Sequence, residues 1–194
     1  MNLTKSSQSK ISWLYNPFHY WGGSKLFFFG LLVIIIHIPI GYYFDVRFDG
    51  ALDMHVVKSV DSLLVVSSDV FIAWVSTFVC LYLSALIFKS PIRLIDIAGA
   101  TAVARVPLLI AIIPAKIFSP DIKSIEELLI LQGSEFYLLL VGGFIVLLFS
   151  IWFILLLFNA YKINSNLDGW KLWTGFITSM IIAEAISLFV IRFV

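Results

Sequence analysis

Charged residues and cysteine are scarce in this sequence. Of its 194 residues only 13% are charged and 61% are hydrophobic, with a mean hydropathy of +1.03, whereas soluble domains are about 25% charged and about 45–50% apolar. This balance excludes a soluble globular domain and a disordered chain, and a formal charge of +1 excludes a nucleic-acid binder driven by bulk charge. The single cysteine, Cys80, excludes an internal disulfide and a cysteine-based zinc site. What remains is an integral membrane protein.

Signatures of catalysis are also missing. The chain has no His-Glu-x-x-His, no Gly-x-Ser-x-Gly and no Walker sequence. Its three histidines, His19, His37 and His55, are predicted at the inner surface, the midplane and the outer surface, so they cannot share a metal. We therefore expect no enzymatic activity, no metal and no cofactor.

Long apolar stretches dominate instead. A helix needs roughly 20 apolar residues to cross about 30 Å of hydrocarbon, and five stretches qualify. They are Leu26–Phe44, about Asp69–Phe88, Ile92–Phe118, Phe136–Asn159 and Trp173–Val194. The sequence thus predicts an all-α polytopic membrane protein. Its five-helix transmembrane domain occupies residues 25–194, and residues 1–24 form a cytoplasmic interfacial segment.

The orientation follows from the basic residues in the flanks. Seven Lys and Arg residues fall on the N-terminal side of the predicted spans and five on the opposite side. Because cytoplasmic loops carry the excess of Lys and Arg, we expect a cytoplasmic N-terminus and an outside C-terminus.

Three segments outside the spans carry local signals. Phe44–Val56 alternates around Asp49-Gly50, which is typical of a two-residue hairpin turn leaning on the membrane surface or the helix ends. Ser124–Glu127 is a capping-box pattern and predicts a short interfacial helix ending at Gly133. An aromatic cluster around Asn16-Pro17 is predicted to lie along the cytoplasmic surface. Its members are Trp13, Tyr15, Phe18, Tyr20 and Trp21.

Three polar side chains are predicted near the midplane. At about 1.5 Å per residue, His37 lies roughly 17 Å deep, Arg105 roughly 20 Å and Glu184 roughly 17 Å. Ionisable groups at such depth are costly and indicate a functional or structural site. We expect Arg105 and Glu184 to form an ion pair, either fixing helix packing or serving a substrate, proton or lipid-headgroup site. We expect His37 to bond the Ile35 carbonyl that Pro39 frees, the alternative being a proton relay with Glu184.

The third span is rich in small residues. Asp96, Ala100, Ala104 and Pro107 share one helical face that beyond Asp96 carries only small side chains, so a neighbouring helix can approach closely. Asp96 is expected to be a solvated interfacial acid or to reach Arg93, Lys89 or Lys162. Pro107 and Pro114 are predicted to kink the outer half of the span. Gly142-Gly143 in the fourth span is likewise predicted to be a close-contact point.

The sequence resembles the Yip1 family of five-span membrane proteins, specifically its bacterial members. The resemblance is carried by Asn16-Pro17-Phe18, by the pattern Asp96-x-x-Gly99-x(5)-Arg105-x-Pro107, by Ile151-Trp152…Asn159-Ala-Tyr161 and by the outside C-terminus. Eukaryotic members are linked to vesicle trafficking and to small GTPases of the Rab type. For a bacterial member the resemblance implies the inner membrane and no settled activity.

Two function classes remain open. The first is a non-enzymatic membrane-organising or partner-binding protein, which would use its small-residue faces and its cytoplasmic aromatic segment. Its partners would be the lipid bilayer and a protein at the cytoplasmic face, homo-oligomers being possible and nucleic acid excluded. The second is a transporter or lipid-moving protein with a polar midplane path through His37, Arg105 and Glu184, although five spans without visible halves argue against it in a monomer.

Overall fold

The fold is an all-α bundle that is 78% helical. A computed structural model describes residues 12–48, 50–118 and 132–193. The helices are α1 (Ser12–Tyr15), a 3-10 turn (Pro17–His19), α2 (Gly23–Tyr43), α3 (Leu63–Ile87), α4 (Leu94–Ala104), α5 (Val106–Ile117), α6 (Ser134–Ser165) and α7 (Gly169–Ile191). Five membrane-spanning helices result, with α4 and α5 together forming the third. The predicted all-α fold and the five spans are confirmed.

Two spans are longer than the apolar pattern predicted. α3 begins at Leu63 rather than near Asp69, because the Ser62 side chain accepts a hydrogen bond from the Val65 backbone N–H (3.3 Å) and so caps the helix. α6 has 32 residues, more than the bilayer requires. The positions of charged and polar residues therefore do not predict where α3 begins or how long α6 is.

The third span lies at the centre of the bundle, where every residue from Ile97 to Ala104 is buried. Ala100, Ala104 and Pro107 of the predicted small face are all buried. Asp96 is not a freely solvated acid, since it accepts a hydrogen bond from the Gly23 backbone N–H (2.7 Å) and pairs with Arg93 (3.5 Å). It thereby ties the start of α2 to the start of α4.

The backbones of α2 and α4 approach each other closely. A Cβ atom on Gly30 would lie 2.7 Å from the Gly99 carbonyl oxygen, and one on Gly99 would lie 2.7 Å from backbone atoms of Phe27. Such distances leave no room for a side chain at either position, so the two backbones approach as small-residue interfaces in lipid allow.

The third span breaks at Arg105, between α4 and α5. The Arg105 N–H bonds the Ala102 carbonyl (3.2 Å) instead of continuing the α-helical pattern. Pro107 has no N–H to offer, and its ring would clash with the carbonyl of Val103 in a continuous helix. The predicted interruption of the third span is therefore present, and it lies at Arg105, two residues before Pro107. At Pro114, in contrast, α5 continues without a break.

The hairpin between α2 and α3 differs from the prediction. Strand β1 (Val46–Arg47) pairs antiparallel with β2 (His55–Val56), with Val46 opposite Val56. The pairing ends at Arg47 and His55, so the connection between the strands is longer than a two-residue turn. Its described residues do not lean on the surface, because Phe48, Gly50 and Ala51 are buried within the bundle. We call Phe48 and residues 50–54 the inserted loop.

The remaining predictions concern the two ends of the bundle. The short helix predicted from Ser124 lies outside the described residues. The aromatic segment docks on α6, where Trp152 donates to the Leu14 carbonyl (2.8 Å) and Asn159 donates to the Tyr15 carbonyl (2.8 Å). In the predicted glycine pair only the first member is a close contact. Gly142 lies against Phe118, whereas Gly143 has open space around it.

The glycine contact between α2 and α4 can be tested directly. Gly99→Ala should lower the free energy of unfolding by about 1–3 kcal/mol, because overpacking forces the backbones apart. The measurement is the unfolding midpoint of the purified protein in detergent. Gly143→Ala is the matched control and should leave the midpoint unchanged or raise it, since nothing lies within 4 Å of its added methyl group and alanine favours a helix more than glycine does. Equal effects of the two substitutions would contradict the close approach.

Candidate functional site

The charged midplane side chains converge on one peptide group of the inserted loop. The Arg105 guanidinium donates from Nη2 to the Ala51 carbonyl oxygen (3.0 Å). The Glu184 carboxylate accepts through Oε2 from the Leu52 backbone N–H (2.8 Å). This carbonyl and this N–H belong to the same peptide bond. Helices from opposite parts of the chain thus hold one amide by its two ends, an arrangement we call the peptide clamp.

A serine completes the clamp. Ser187, one turn after Glu184 on α7, accepts from the Ala51 backbone N–H at 2.9 Å. Its own hydroxyl donates to the Glu184 carbonyl at 2.9 Å, which fixes its rotamer. Gly50 lies directly beside the Glu184 carboxylate, and a Cβ there would collide with it. Backbone groups that would be costly to bury unpaired are therefore satisfied by side chains.

The predicted direct ion pair between Arg105 and Glu184 is wrong. Both side chains lie in the described part of the chain, and no salt bridge joins them there. The inserted loop lies between them, so each charge binds the complementary end of the amide dipole. Hydrogen bonds to charged groups contribute about 1.5–3 kcal/mol each, which offsets part of the cost of burying Arg105 and of partly burying Glu184.

Arg105 is enclosed on its other sides as well. Its side chain is only 1% exposed, and its guanidinium carbon lies 5.6 Å from the centre of the Phe153 ring on α6. A cation over an aromatic face is favourable and more so when it is desolvated. Its Nη1 atom is buried and has no hydrogen-bond partner among the described residues. The guanidinium therefore contacts α6 and the inserted loop at once.

His37 lies beside the inserted loop. Its Nδ1 donates to the Val33 carbonyl (2.8 Å), one turn earlier in α2, and not to the Ile35 carbonyl as predicted. The carbonyl one turn back lies on the same helix face as His37, whereas Ile35 does not. The ring meets Phe48 edge-on at 5.0 Å, and Nε2 has no partner in the described ranges. The alternative prediction was a proton relay between His37 and Glu184, but no hydrogen bond joins these two side chains directly in the described ranges.

A second anchor of the hairpin was missed by the sequence reasoning. Arg47 on β1 makes a bidentate pair with Asp69 on α3, at 2.7 Å from Nε and 2.9 Å from Nη2. Asp69 is 1% exposed, so the ion pair is partly buried. Lys116 on α5 also pairs with Asp45 beside the hairpin (3.1 Å). Two features of the sequence could have predicted this pair. Asp69 lies within an apolar run, and Arg47, for which no partner was predicted, lies on the same side of the predicted spans.

The clamp consists of contacts between side chains and the protein's own backbone. Arg105 donates to a backbone carbonyl, and Glu184 and Ser187 accept from backbone N–H groups. In residues 12–48, 50–118 and 132–193, no three His, Cys, Asp or Glu side chains are grouped to hold a metal ion. What the site does is hold the inserted loop between α4, α5 and α7.

No protein-family model, curated protein or solved structure matches this chain. The five apolar helices make it a multi-pass membrane protein.

The clamp predicts an unusual result for a charge swap. Arg105→Glu and Glu184→Arg should each destabilise the protein, and the double swap should recover nothing. The reason is that a carboxylate at position 105 would face a carbonyl and a guanidinium at position 184 would face an N–H. The measurement is the unfolding midpoint in detergent.

Arg47 and Asp69 supply the matched control for this experiment. Because they touch directly, the swap Arg47→Asp with Asp69→Arg should recover part of what each single change loses. Recovery in the Arg105–Glu184 double swap would mean that the two charges pair with each other, against the clamp.

Proposed function

We propose that this chain is a non-enzymatic, Yip1-like protein of a bacterial inner membrane that organises the membrane or binds partners there. The observation that carries the proposal is the clamp itself. Arg105 and Glu184, the charged groups expected to serve a midplane path, are engaged by the Ala51–Leu52 peptide. A group that holds the fold together is not free to bind and release a cargo.

The packing around the clamp also favours a fixed scaffold. The inserted loop buries Phe48 and Ala51 among the helices, and the hairpin behind it is held by the Arg47–Asp69 pair. Transport by alternating access requires repeats that rock around a binding site, whereas here one loop joins several spans at the level of the site.

The residues of the Yip1-like pattern have structural roles that fit this proposal. Asp96 binds the start of α2, and Gly99 permits the close approach of α2 and α4. Arg105 forms the clamp, and Pro107 follows the break that places it there. Pro17, in the aromatic segment, is buried. A family pattern that maintains a scaffold supports a protein whose surfaces, and not its interior, meet its partners.

The partner-binding surface in this proposal is the aromatic segment at the cytoplasmic face. Leu14, Tyr15, Tyr20 and Trp21 are all more than two-fifths exposed, although the segment is docked firmly on α6. Ordered, exposed aromatic side chains are typical of binding surfaces. A protein partner or a second copy of the chain would meet the protein here.

Movement of protons or lipids through the midplane is the second candidate. It is favoured by two buried atoms without hydrogen-bond partners among the described residues, His37 Nε2 and Arg105 Nη1. Buried polar atoms without a hydrogen-bond partner are rare in proteins, and each one requires a physical explanation. They lie on neighbouring side chains that interact electrostatically, so they mark the place where such a path would run.

A flux assay separates the two candidates. In liposomes containing the protein, we expect neither lipid scrambling nor proton movement above protein-free vesicles, because the clamp keeps the midplane groups engaged. The probes are a dithionite-quenched fluorescent phosphatidylethanolamine and an enclosed pH-sensitive dye. A wild-type flux that Arg105→Gln abolishes, in protein that is still folded by its unfolding midpoint, would overturn the proposal in favour of transport.

The proposed orientation has its own test. In a Cys80→Ala background, Ser59→Cys on the hairpin side should react with a membrane-impermeant maleimide in spheroplasts, because that side faces outward. Ser24→Cys, at the start of α2, should react only after lysis. Both serines are exposed, so the two variants are matched. The reverse labelling pattern would contradict a cytoplasmic N-terminus.

A further inference from the structure

An apolar cavity lies where the aromatic segment meets the bundle. It has a volume of about 170 Å³ and an almost wholly apolar lining. The lining comes from the aromatic segment, α2, α4, α5 and α6, and includes Leu14, Trp21, Phe29, Val103, Val106 and Trp152. The cavity is separate from the peptide clamp, because none of the clamp residues lines it.

The cavity runs from the membrane surface toward the midplane. Phe29 is six residues into α2, or roughly 9 Å deep, and Val106 is twelve residues past the start of α4, or roughly 18 Å deep. Leu14 and Trp21, in the segment before α2, lie at the end of the cavity that is nearest the membrane surface. This is the depth range of an acyl chain in the leaflet on the N-terminal side.

The mouth of the cavity is continuous with the lipid-facing surface. Phe29 is 40% exposed, and its neighbours Phe28 and Leu32 on α2 are more exposed still. Trp21 packs edge-on against Phe29 at 5.4 Å and forms part of the rim. Lipid tails are the apolar molecules in contact with this surface. An apolar protein cavity of about 150 Å³ binds benzene, so this cavity has room for a segment of roughly six carbons of a lipid tail.

A basic residue lies where the lipid phosphate would be. Lys25 is exposed in the first turn of α2 and precedes Phe29 by four residues, which puts both on one helix face. It makes no ion pair with any described residue. A lysine at the membrane surface attracts anionic headgroups. From the membrane surface inward, Lys25 and then the apolar cavity thus follow in the same order as the phosphate and the acyl tail of a phospholipid.

We propose that this cavity binds a segment of one acyl chain of an anionic phospholipid, with the phosphate held at Lys25. The lipid comes from the leaflet on the N-terminal side, and its chain lies between the aromatic segment and the third span. It thereby contacts both Trp21 and Trp152. This site does not depend on the peptide clamp, since no clamp residue lines it, whereas Leu14 and Trp21 belong both to its lining and to the partner-binding surface proposed above.

Native mass spectrometry of the full chain tests the site. The protein is released from bilayers of equal parts phosphatidylglycerol and phosphatidylcholine, and the retained lipid is counted. Wild type should retain one phosphatidylglycerol in preference to phosphatidylcholine. Val106→Phe fills the cavity and should lose the retained lipid. Val190→Phe, the same change on the exposed face of α7, should retain it. Lys25→Gln should keep a lipid but lose the preference for phosphatidylglycerol.

Other results would overturn the proposal. Retention of the lipid by Val106→Phe, or equal loss in Val190→Phe, would mean that the cavity is not its site. A dimer mass that disappears in Val106→Phe would place a second copy of the chain there instead.

A second measurement serves if Val106→Phe does not fold. In bilayers with a small fraction of acyl-brominated phosphatidylglycerol, the emission of Trp152 is obtained as the difference between wild type and Trp152→Phe. It should be quenched more strongly than the emission of Trp173, obtained in the same way, because Trp173 lies on α7 outside the cavity. Equal quenching of the two tryptophans would contradict a bound chain.

Discussion

The structure depends on one peptide group held between two charges inside the membrane. Arg105 and Glu184 would each be expensive to bury alone. The Ala51–Leu52 amide presents its carbonyl to the cation and its N–H to the anion. The same contacts satisfy two backbone groups of a loop that has no secondary structure of its own. Non-helical backbone at membrane depth is tolerated only when it is buried and satisfied in this way. The charges and the loop therefore stabilise each other.

The third span is interrupted at the residue that binds this loop. Arg105 lies at the break between α4 and α5, two residues before Pro107. The small residues of α4 let α2 approach closely, and His37 of α2 meets Phe48 beside the clamp. On the far side, Phe153 of α6 covers the guanidinium. Four of the five spans thus contact Arg105 or the inserted loop, namely α2, the third span, α6 and α7.

Hydropathy and helical rise were enough to predict the five spans and to place His37, Arg105 and Glu184 at a common depth, because both depend only on local sequence. The insertion of Phe48 and residues 50–54 into the bundle could not be predicted in this way. Asp49-Gly50 favours a tight turn locally, and only the partners on distant helices make a longer, buried loop stable. For the same reason the direct Arg105–Glu184 pair was wrong. Opposite charges at one depth indicate that they are near each other, and do not reveal a peptide between them.

Amide hydrogen exchange tests the clamp most directly. The Ala51 and Leu52 N–H groups lie in a loop, and loop amides ordinarily exchange fast unless they are bonded and buried. Since they donate to Ser187 and Glu184, they should exchange as slowly as amides in the middle of α4. Lys58, exposed in the segment after β2, gives the fast reference. Exchange of Ala51 and Leu52 at the rate of Lys58 would contradict the clamp and, with it, the account of how these helices are held together.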